Sequence, residues 1–385
     1  MKPGAGAARA ARARAGAHSG RVCPLEILHF MTKKMVKIWK YIVVREGGEG
    51  GRQRWGGGGG GGAMGLLGAA LGAVAARPWL GLAGWALLCG TFGLSAGLYL
   101  LHLAALRLCA PHDLRKRYGG ARWALVTGAS SGIGKSLTVR LAEQGLDVVM
   151  VAYPDKVLDK SHAELQKRFP KRKFVKVPAD LGSGGYLETV AKATEGMDVQ
   201  CVFSNAGYML SGFFHKTELP RILANLECNV TSGVAICHFF AQRMIAKGLP
   251  GCIVLTSSAA AAMPAPLSIM YSATKSFVSS FGAGLAAEVT SKGIDVCVVH
   301  PSPVASNFYD KQKKIDMLDF FKGFAVSPDA LPDEIFRCIG RTTWADVGLT
   351  AQGFRMMMKI VDYNFMSTLL AKIGHTFPDY QRHDN

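Results

Sequence analysis

Tyr271 and Lys275 stand four residues apart in the run IMYSATKSFV, and Ser258 precedes Tyr271 by thirteen positions in CIVLTSSAAAAMPAPLSIMY. Helical spacing puts the phenol and the ammonium on one face. A free phenol titrates near pH 10, so it exchanges protons poorly at neutral pH unless nearby positive charge favours the phenolate. Lys275 can supply that charge. A serine hydroxyl at a strand end can donate to a carbonyl oxygen and polarise it for attack at carbon. Together the three residue types suit a proton delivered to an oxygen that gains charge while its carbon is reduced. Alone, a Tyr/Lys pair at this spacing is also just two residues of a helix, so the elements around it must decide.

Far upstream, ARWALVT reads as a buried strand that runs straight into Thr127-Gly128-Ala129-Ser130-Ser131-Gly132-Ile133-Gly134, inside which a helix begins. At such a turn the unpaired N–H groups and the positive end of the helix dipole favour a pyrophosphate, and glycine lets the backbone approach it closely. The spacing of Gly128, Gly132 and Gly134 is not G-x-G-x-x-G, and a lone glycine turn is also an ordinary strand–helix connection. Its place after the first strand of an α/β domain makes it a dinucleotide site, with Gly128, Ser130, Ser131, Gly132, Ile133 and Gly134 facing the cofactor. The second strand ends VVMVAYPDK, with Ala152 where an acid would bind a ribose 2′-hydroxyl and repel a 2′-phosphate. NADP(H) is therefore expected over NAD(H), with Lys135 or Lys156 as the cation.

The remaining pattern is a helix over Gly132 to Gln144, the strand LDVVMVA, a helix over Lys156 to Phe169, the strands KFVKV and VQCVFS, a long helix over Leu219 to Lys247, the strand CIVLTS, a helix over Ile269 to Ser291 and the strand IDVCVVH. Short β-rich runs separated by helices imply an α/β, doubly wound, Rossmann-type parallel sheet with right-handed crossovers. It spans 119–310; beyond that the rhythm loosens.

Composition adds the flanks. Of the formal charge of +18, about half sits in residues 1–63, where twelve Lys/Arg face only Glu26, Glu46 and Glu49. The rest has no interleaving of basic and aromatic residues, so nucleic acid is not an expected partner. Residues 1–63 are Ala/Arg-rich, then basic, then a glycine run from Gly56 to Gly62, and are expected to be disordered, as a transit peptide or a dispensable leader, with Met64 an alternative start. Residues 64–118 form a hydrophobic membrane anchor with a basic stop: Pro78 to Leu106 carries no Lys, Arg, Asp or Glu, and Arg107, Arg115, Lys116 and Arg117 follow. A buried core helix and a re-entrant hairpin are the alternatives. Nine scattered cysteines without a C-x-x-C pair or a His partner at ligand spacing imply no metal site and no disulfide framework.

The turn T-G-x-x-x-G-x-G, followed in order by Asp180-Leu181, Asn205-Ala206-Gly207, Asn229 in ANLECNVTSG, Ser258 and Tyr271-x-x-x-Lys275, resembles the classical short-chain dehydrogenase/reductase family over roughly residues 120–310. The resemblance implies that Asp180 contacts adenine, Asn205 steadies the central sheet, and Asn229 holds a water leading to Lys275. It makes Asn229, Ser258, Tyr271 and Lys275 the catalytic set. His300-Pro301-Ser302-Pro303-Val304-Ala305-Ser306 is similar to the family turn P-G-x-V-x-T that holds the nicotinamide, with Val304 and Ser306 in that role and Ser302 departing from glycine. The anchor, LRKRYGGARWALVTGASSGIGKS and SKGIDVCVVHP look like the branch of very-long-chain 3-oxoacyl-CoA reductases and 17β-hydroxysteroid dehydrogenases.

That likeness implies a hydrophobic carbonyl substrate, an endoplasmic reticulum membrane with the catalytic domain in the cytosol, and homodimers through the helices over 219–247 and 269–291. A plastid or other organelle membrane is the alternative, since the chain ends QRHDN where the branch often carries a lysine-based retrieval signal. Competing functions are a 3-ketosphinganine or retinoid/steroid oxidoreductase and an idle nucleotide-binding membrane or lipid-droplet protein. Residues 311–385 are expected to form a lid or a membrane-associated extension.

Overall fold

A computed structural model of the protein describes residues 78–310 and 312–384. The expected leader 1–63 and the first part of the anchor, 64–77, lie outside these residues. Helix α1, Pro78–Leu108, comes first, and a short helix α2, Leu114–Arg117, follows it. The alternating domain then opens with strand β1, Trp123–Thr127, and helix α3, Gly132–Glu143. It continues through β2 (Asp147–Ala152), α4 (Lys156–Arg168), β3 (Phe174–Pro178), α5 (Tyr186–Ala193) and β4 (Val199–Ser204). Next come α6 (Leu219–Leu226), α7 (Ser232–Ala246), β5 (Gly251–Thr256), α8 (Ile269–Val289) and β6 (Ile294–Pro301).

All strands pair in parallel in the order β3-β2-β1-β4-β5-β6-β7, where β7 is Trp344–Val347. Strands β1, β2 and β5 are buried at every residue, because parallel crossovers cover both faces and demand continuous apolar runs. One core layer holds Leu137, Leu141, Leu158, Leu165 and Phe336 against one side of the sheet. The other holds Val190, Ile236, Phe240, Val278 and Ala286. The order reverses between β1 and β4, which opens a crevice beyond the carboxyl ends of the strands.

Three features differ from the sequence reading. Helix α5 was not expected; it has eight residues and buries only Tyr186 and Val190, too little apolar face to register as a period. The helix expected over Leu219 to Lys247 is interrupted by a π-turn at Glu227–Thr231. The sheet also does not stop at residue 310. Helices α9 (Asp316–Lys322) and α10 (Leu331–Cys338) lead to β7, and α11 (Leu349–Met357), α12 (Tyr363–Ile373) and α13 (Pro378–Asp384) follow. Strand β7 is a four-residue edge strand, WADV, with alternating burial and an acid inside it, so it lacked the apolar run that marks the central strands.

Helix α8 crosses the sheet closely at Gly282, where a Cβ would run into Val298 and lie 2.9 Å from Leu255 Cδ1. Overpacking of this kind costs about 1–3 kcal/mol. Gly282→Ala should therefore lower the melting temperature by several degrees in a thermal scan, without altering the far-ultraviolet circular dichroism.

Candidate functional site

The glycine turn is built by steric necessity. Gly128 and Gly132 adopt φ of +66° and +52°, the left-handed region that side chains avoid. A Cβ at Gly134 would collide with the Gly128 carbonyl and lie 2.9 Å from Asn205 Nδ2, so α3 can begin against the strand only as glycine. Ser131 precedes the helix in extended geometry, is exposed, and makes no side-chain cap bond. The first N–H groups of α3 are thus left to an outside acceptor, the arrangement that binds a phosphate. Ala129 is buried, Ser130 half-buried, and Ile133 packs against the core. Across the crevice Ser306 faces Gly132, with Ser306 Cβ 3.4 Å from where a Gly132 Cβ would be. Val304 is buried and forms a parallel bridge with Val326.

Asn205 ties three strands together. Its N–H donates to Thr127 Oγ1 at 2.9 Å, its Nδ2 donates to Thr127 O at 3.2 Å, and its Oδ1 accepts from Thr256 Oγ1 at 3.1 Å. Asp180 follows β3 and closes its own turn, accepting from Gly182 N at 2.9 Å. Near the end of β2, Tyr153 is exposed and Ala152 buried. Lys135 is engaged by Glu164 at 2.7 Å, while Lys156, at the start of α4, is exposed.

The second half of the site converges on Lys275, which is 4% exposed. Its ammonium donates to Thr256 O at 2.7 Å and lies 5.8 Å from the centre of the Tyr271 ring. Asn229 sits in the π-turn, a local widening that recurs at functional positions because it re-aims a side chain without ending the helix. There its Oδ1 accepts from Tyr208 N at 2.9 Å, and its Nδ2 donates to Tyr208 O at 2.9 Å and to Thr274 Oγ1 at 3.2 Å. Gly207 leaves the gap between them: a Cβ there would stand 3.0 Å from Asn229 Oδ1 and 3.3 Å from Lys275 Nζ. Ser258 accepts from Ala260 N at 3.1 Å, which fixes its oxygen. The Tyr271 ring packs 5.6 Å from Phe308. Asn229, Ser258, Tyr271 and Lys275 are therefore brought together, beside the mouth of the glycine turn.

Burial sets the protonation states. It raises the Tyr271 phenol above its ordinary range, with Tyr309 adding to the rise and a hydrogen bond with Ser258 opposing it. Burial lowers Lys275 to about 8. Sequence reasoning passed over the hydroxyls behind the lysine. Ser257 Oγ donates to Lys275 O at 2.7 Å and meets Ser279 Oγ at 2.7 Å, and Ser279 in turn bonds His300 Nε2 at 2.9 Å. His300 stacks on Trp344 at 4.2 Å, and burial lowers its pKa to about 3. Serines one and four positions from recognised residues were the available signal, but serine is too common in strand-end loops to stand out. Ser302, the departure from glycine, has a use: its Oγ accepts from Ala351 N at 3.1 Å and caps α11.

A lysine whose folded pKa is depressed lowers stability wherever it must be charged. Below pH 8 the whole penalty is present, and it is relieved as pH rises from about 8 towards the unfolded value of about 10.4. Lys275→Met in the ligand-free protein should accordingly be more stable than the parent at pH 7, by on the order of 1–3 kcal/mol. That advantage should vanish near pH 10, as read from thermal or denaturant unfolding across the range.

A family model of short chain dehydrogenases matches residues 122–316. A very-long-chain 3-oxoacyl-CoA reductase-like protein of Arabidopsis thaliana is 29% identical over 209 residues, 54% of this chain and 66% of that protein. The 17-beta-hydroxysteroid dehydrogenase type 3 of Mus musculus is 32% identical over 206 residues, 52% of this chain and 66% of its own. The chain thus spans just under two thirds of the length of these relatives. Among solved structures, a study of 7beta-hydroxysteroid dehydrogenase stereoselectivity supplies a fold match with a TM-score of 0.60 at 23% identity, covering 68% of this chain and 100% of that one. A short-chain dehydrogenase from Sphingobium yanoikuyae in complex with NADPH has a TM-score of 0.51 at 28% identity, covering 55% and 82%. With half of its length matched by the family model, and with the sheet order and glycine turn that the fold requires, the chain belongs to the short-chain dehydrogenase family.

Proposed function

We propose that the protein is a membrane-associated, NADP(H)-dependent oxidoreductase that reduces a ketone on a lipid substrate, of the 3-oxoacyl-CoA or ketosteroid type. The observation that carries this reading is the convergence of Ser258, Tyr271, Lys275 and Asn229 at the end of a crevice whose other side is the glycine turn.

The residues fit a dinucleotide. Gly128, Gly132 and Gly134 leave backbone where side chains would stand, and the uncapped start of α3 suits phosphate oxygens. Ser130, Ser131 and Ile133 would line the same turn, Asp180 and Asn205 the adenine side, and Val304 and Ser306 the nicotinamide side. When bound, the cofactor supplies a hydride, two electrons and a hydrogen nucleus, to the carbonyl carbon. The Ser258 hydroxyl donates to the carbonyl oxygen and stabilises the charge that develops there. Tyr271 gives that oxygen the phenolic proton, so the ketone becomes an alcohol and the phenol a phenolate. Lys275 stabilises the phenolate, and Asn229, joined to the lysine by a water, would return a proton from solvent. Burial keeps the phenol protonated at neutral pH, the form reduction needs.

The 2′-phosphate preference is supported by Ala152, by the exposed Lys156 and by the NADPH held by the Sphingobium relative. Membrane association is supported by α1, whose Cys89–Leu108 window has a mean hydropathy of 1.5 and the length to cross a bilayer. The substrate class is supported by the names of the relatives, a 3-oxoacyl-CoA reductase-like protein and a hydroxysteroid dehydrogenase. The proposed site of action is the endoplasmic reticulum membrane, with Arg107 and the Arg115–Arg117 cluster towards the cytosol.

Detergent-solubilised protein should oxidise NADPH when given 3-oxoacyl-CoA, 3-ketosphinganine or a ketosteroid, with a strong preference for one of them. Tyr271→Phe should lower kcat by a factor of about 10² or more, the usual worth of a positioned proton donor. Unchanged turnover in that variant would sink the mechanism. The kcat/KM for NADPH should exceed that for NADH, and the reverse order would assign the protein to NAD(H).

A further inference from the structure

Helix α1 is fastened to the catalytic domain along the part that looks most like a membrane span. Within Cys89–Leu108, the positions withdrawn from solvent are Phe92, Ala96, Tyr99, Leu103 and Leu106, at steps of three and four, with Ser95 beside Ala96, so that they trace one stripe of a helix. The middle of that stripe is polar. The Tyr99 hydroxyl donates to Asp346 Oδ2 at 2.9 Å, at the sheet edge. Lys359 Nζ donates to Ser95 Oγ at 2.8 Å and lies 5.6 Å from the Tyr99 ring centre. Leu106 packs against the main core, and just past the helix Arg337 Nε donates to Cys109 O at 2.8 Å and Arg341 Nη1 to Ala110 O at 2.9 Å.

The opposite face carries leucine. Leu94, Leu98, Leu101 and Leu108 are 65%, 59%, 67% and 89% exposed. If the window crossed the hydrocarbon, its twenty residues at 1.5 Å each would span the layer and put Ser95 and Tyr99 well inside it. Asp346, Lys359 and the edge of a soluble domain would then be drawn in with them. Charged groups are strongly disfavoured at that depth, and an open sheet edge is not tolerated there. A helix gripped along one stripe and apolar along the other is instead suited to lie in the interface plane.

We propose that Phe92–Leu108 is an interfacial helix rather than a crossing one. It lies parallel to the bilayer surface, with Leu94, Leu98 and Leu101 in the boundary between headgroups and acyl chains and the catalytic domain clamped to its other side. The bilayer is also the partner of the tail just after Lys359, where Ile360, Tyr363 and Phe365 are 61%, 56% and 53% exposed. Arg107 flanks the leucine face and can snorkel towards headgroups. This inference rests on the membrane association proposed above and deepens it, since a domain held flat on lipid receives substrate from the bilayer rather than from water.

Depth distinguishes the two geometries. The full chain, reconstituted in vesicles of phosphatidylcholine and phosphatidylserine, would carry one genetically encoded environment-sensitive fluorophore at position 94, 98, 101 or 365, read by quenching with lipids spin-labelled at graded depths. Position 277, an exposed phenylalanine on α8, serves as the aqueous reference. The expected result is one shallow depth shared by positions 94, 98, 101 and 365, with position 277 unquenched. A change in depth of about 10 Å between positions 94 and 101, the rise of seven helical residues, would overturn the interfacial reading while leaving membrane association intact. An aqueous signal at all sites, or failure to bind vesicles, would overturn both.

Discussion

Burying an ammonium is costly, and the protein has built its centre around one. Lys275 is almost wholly buried, and its ammonium donates to the Thr256 carbonyl at the end of β5. That carbonyl is free because the strand ends there, and the strand ends there because the parallel sheet stops at the crevice. The opposite wall must be Gly207, since a side chain would fill the space between Lys275 and Asn229. Asn229 reaches that space only because the helix bearing it widens by a π-turn. Behind the lysine, Ser257 donates to its backbone carbonyl and meets Ser279 Oγ, which holds α8 at its height. A lysine lowered to about 8 and a phenol raised by the same burial stand side by side, so bringing positive charge near the pair shifts the tyrosine more than it would in water.

The dinucleotide side obeys a different constraint, that of close approach. Gly134 begins a helix against the Gly128 carbonyl, and Asn205 locks that carbonyl's strand to β4 and β5. The glycine turn and the cluster around Lys275 are therefore joined through Asn205 and Thr256. The Thr256 side chain donates to Asn205, while its carbonyl receives Lys275.

Most of this was legible in the sequence where chemistry and sterics restrict the residue type. Glycines that cannot be anything else, an Asn after a strand and a Tyr/Lys pair in a fixed order survive as patterns, and the central strands survive as apolar runs. What stayed hidden is what depends on partners distant in the chain. Strand β7 is four residues long with an acid inside it, and it is a strand only because β6 offers an edge and α10 covers it. Ser302 stands in place of the glycine of the family turn, and its role in capping α11 cannot be seen without knowing that α11 begins beside it. The polar stripe on α1 was invisible for the same reason: Ser95 and Tyr99 look like ordinary members of an apolar run until Lys359 and Asp346 are brought to them.

His300 shows how far the domain's edge is linked to its centre. Its Nε2 bonds Ser279, next to the carbonyl of Lys275, while its Nδ1 has no hydrogen-bond partner and lies 3.8 Å from the Asp346 carboxylate that Tyr99 engages. Burial lowers His300 to about 3 and raises Asp346, so at neutral pH the imidazole is neutral and the pair is not an ion pair. The ring is instead held by stacking on Trp344, over which Arg355 lies at 4.8 Å. A neutral, stacked imidazole bonded through a serine is a spacer of fixed length between β7 and α8. The strand that α1 grips through Tyr99 and Asp346 is thereby linked, through His300 and Ser279, to the helix that carries Tyr271 and Lys275.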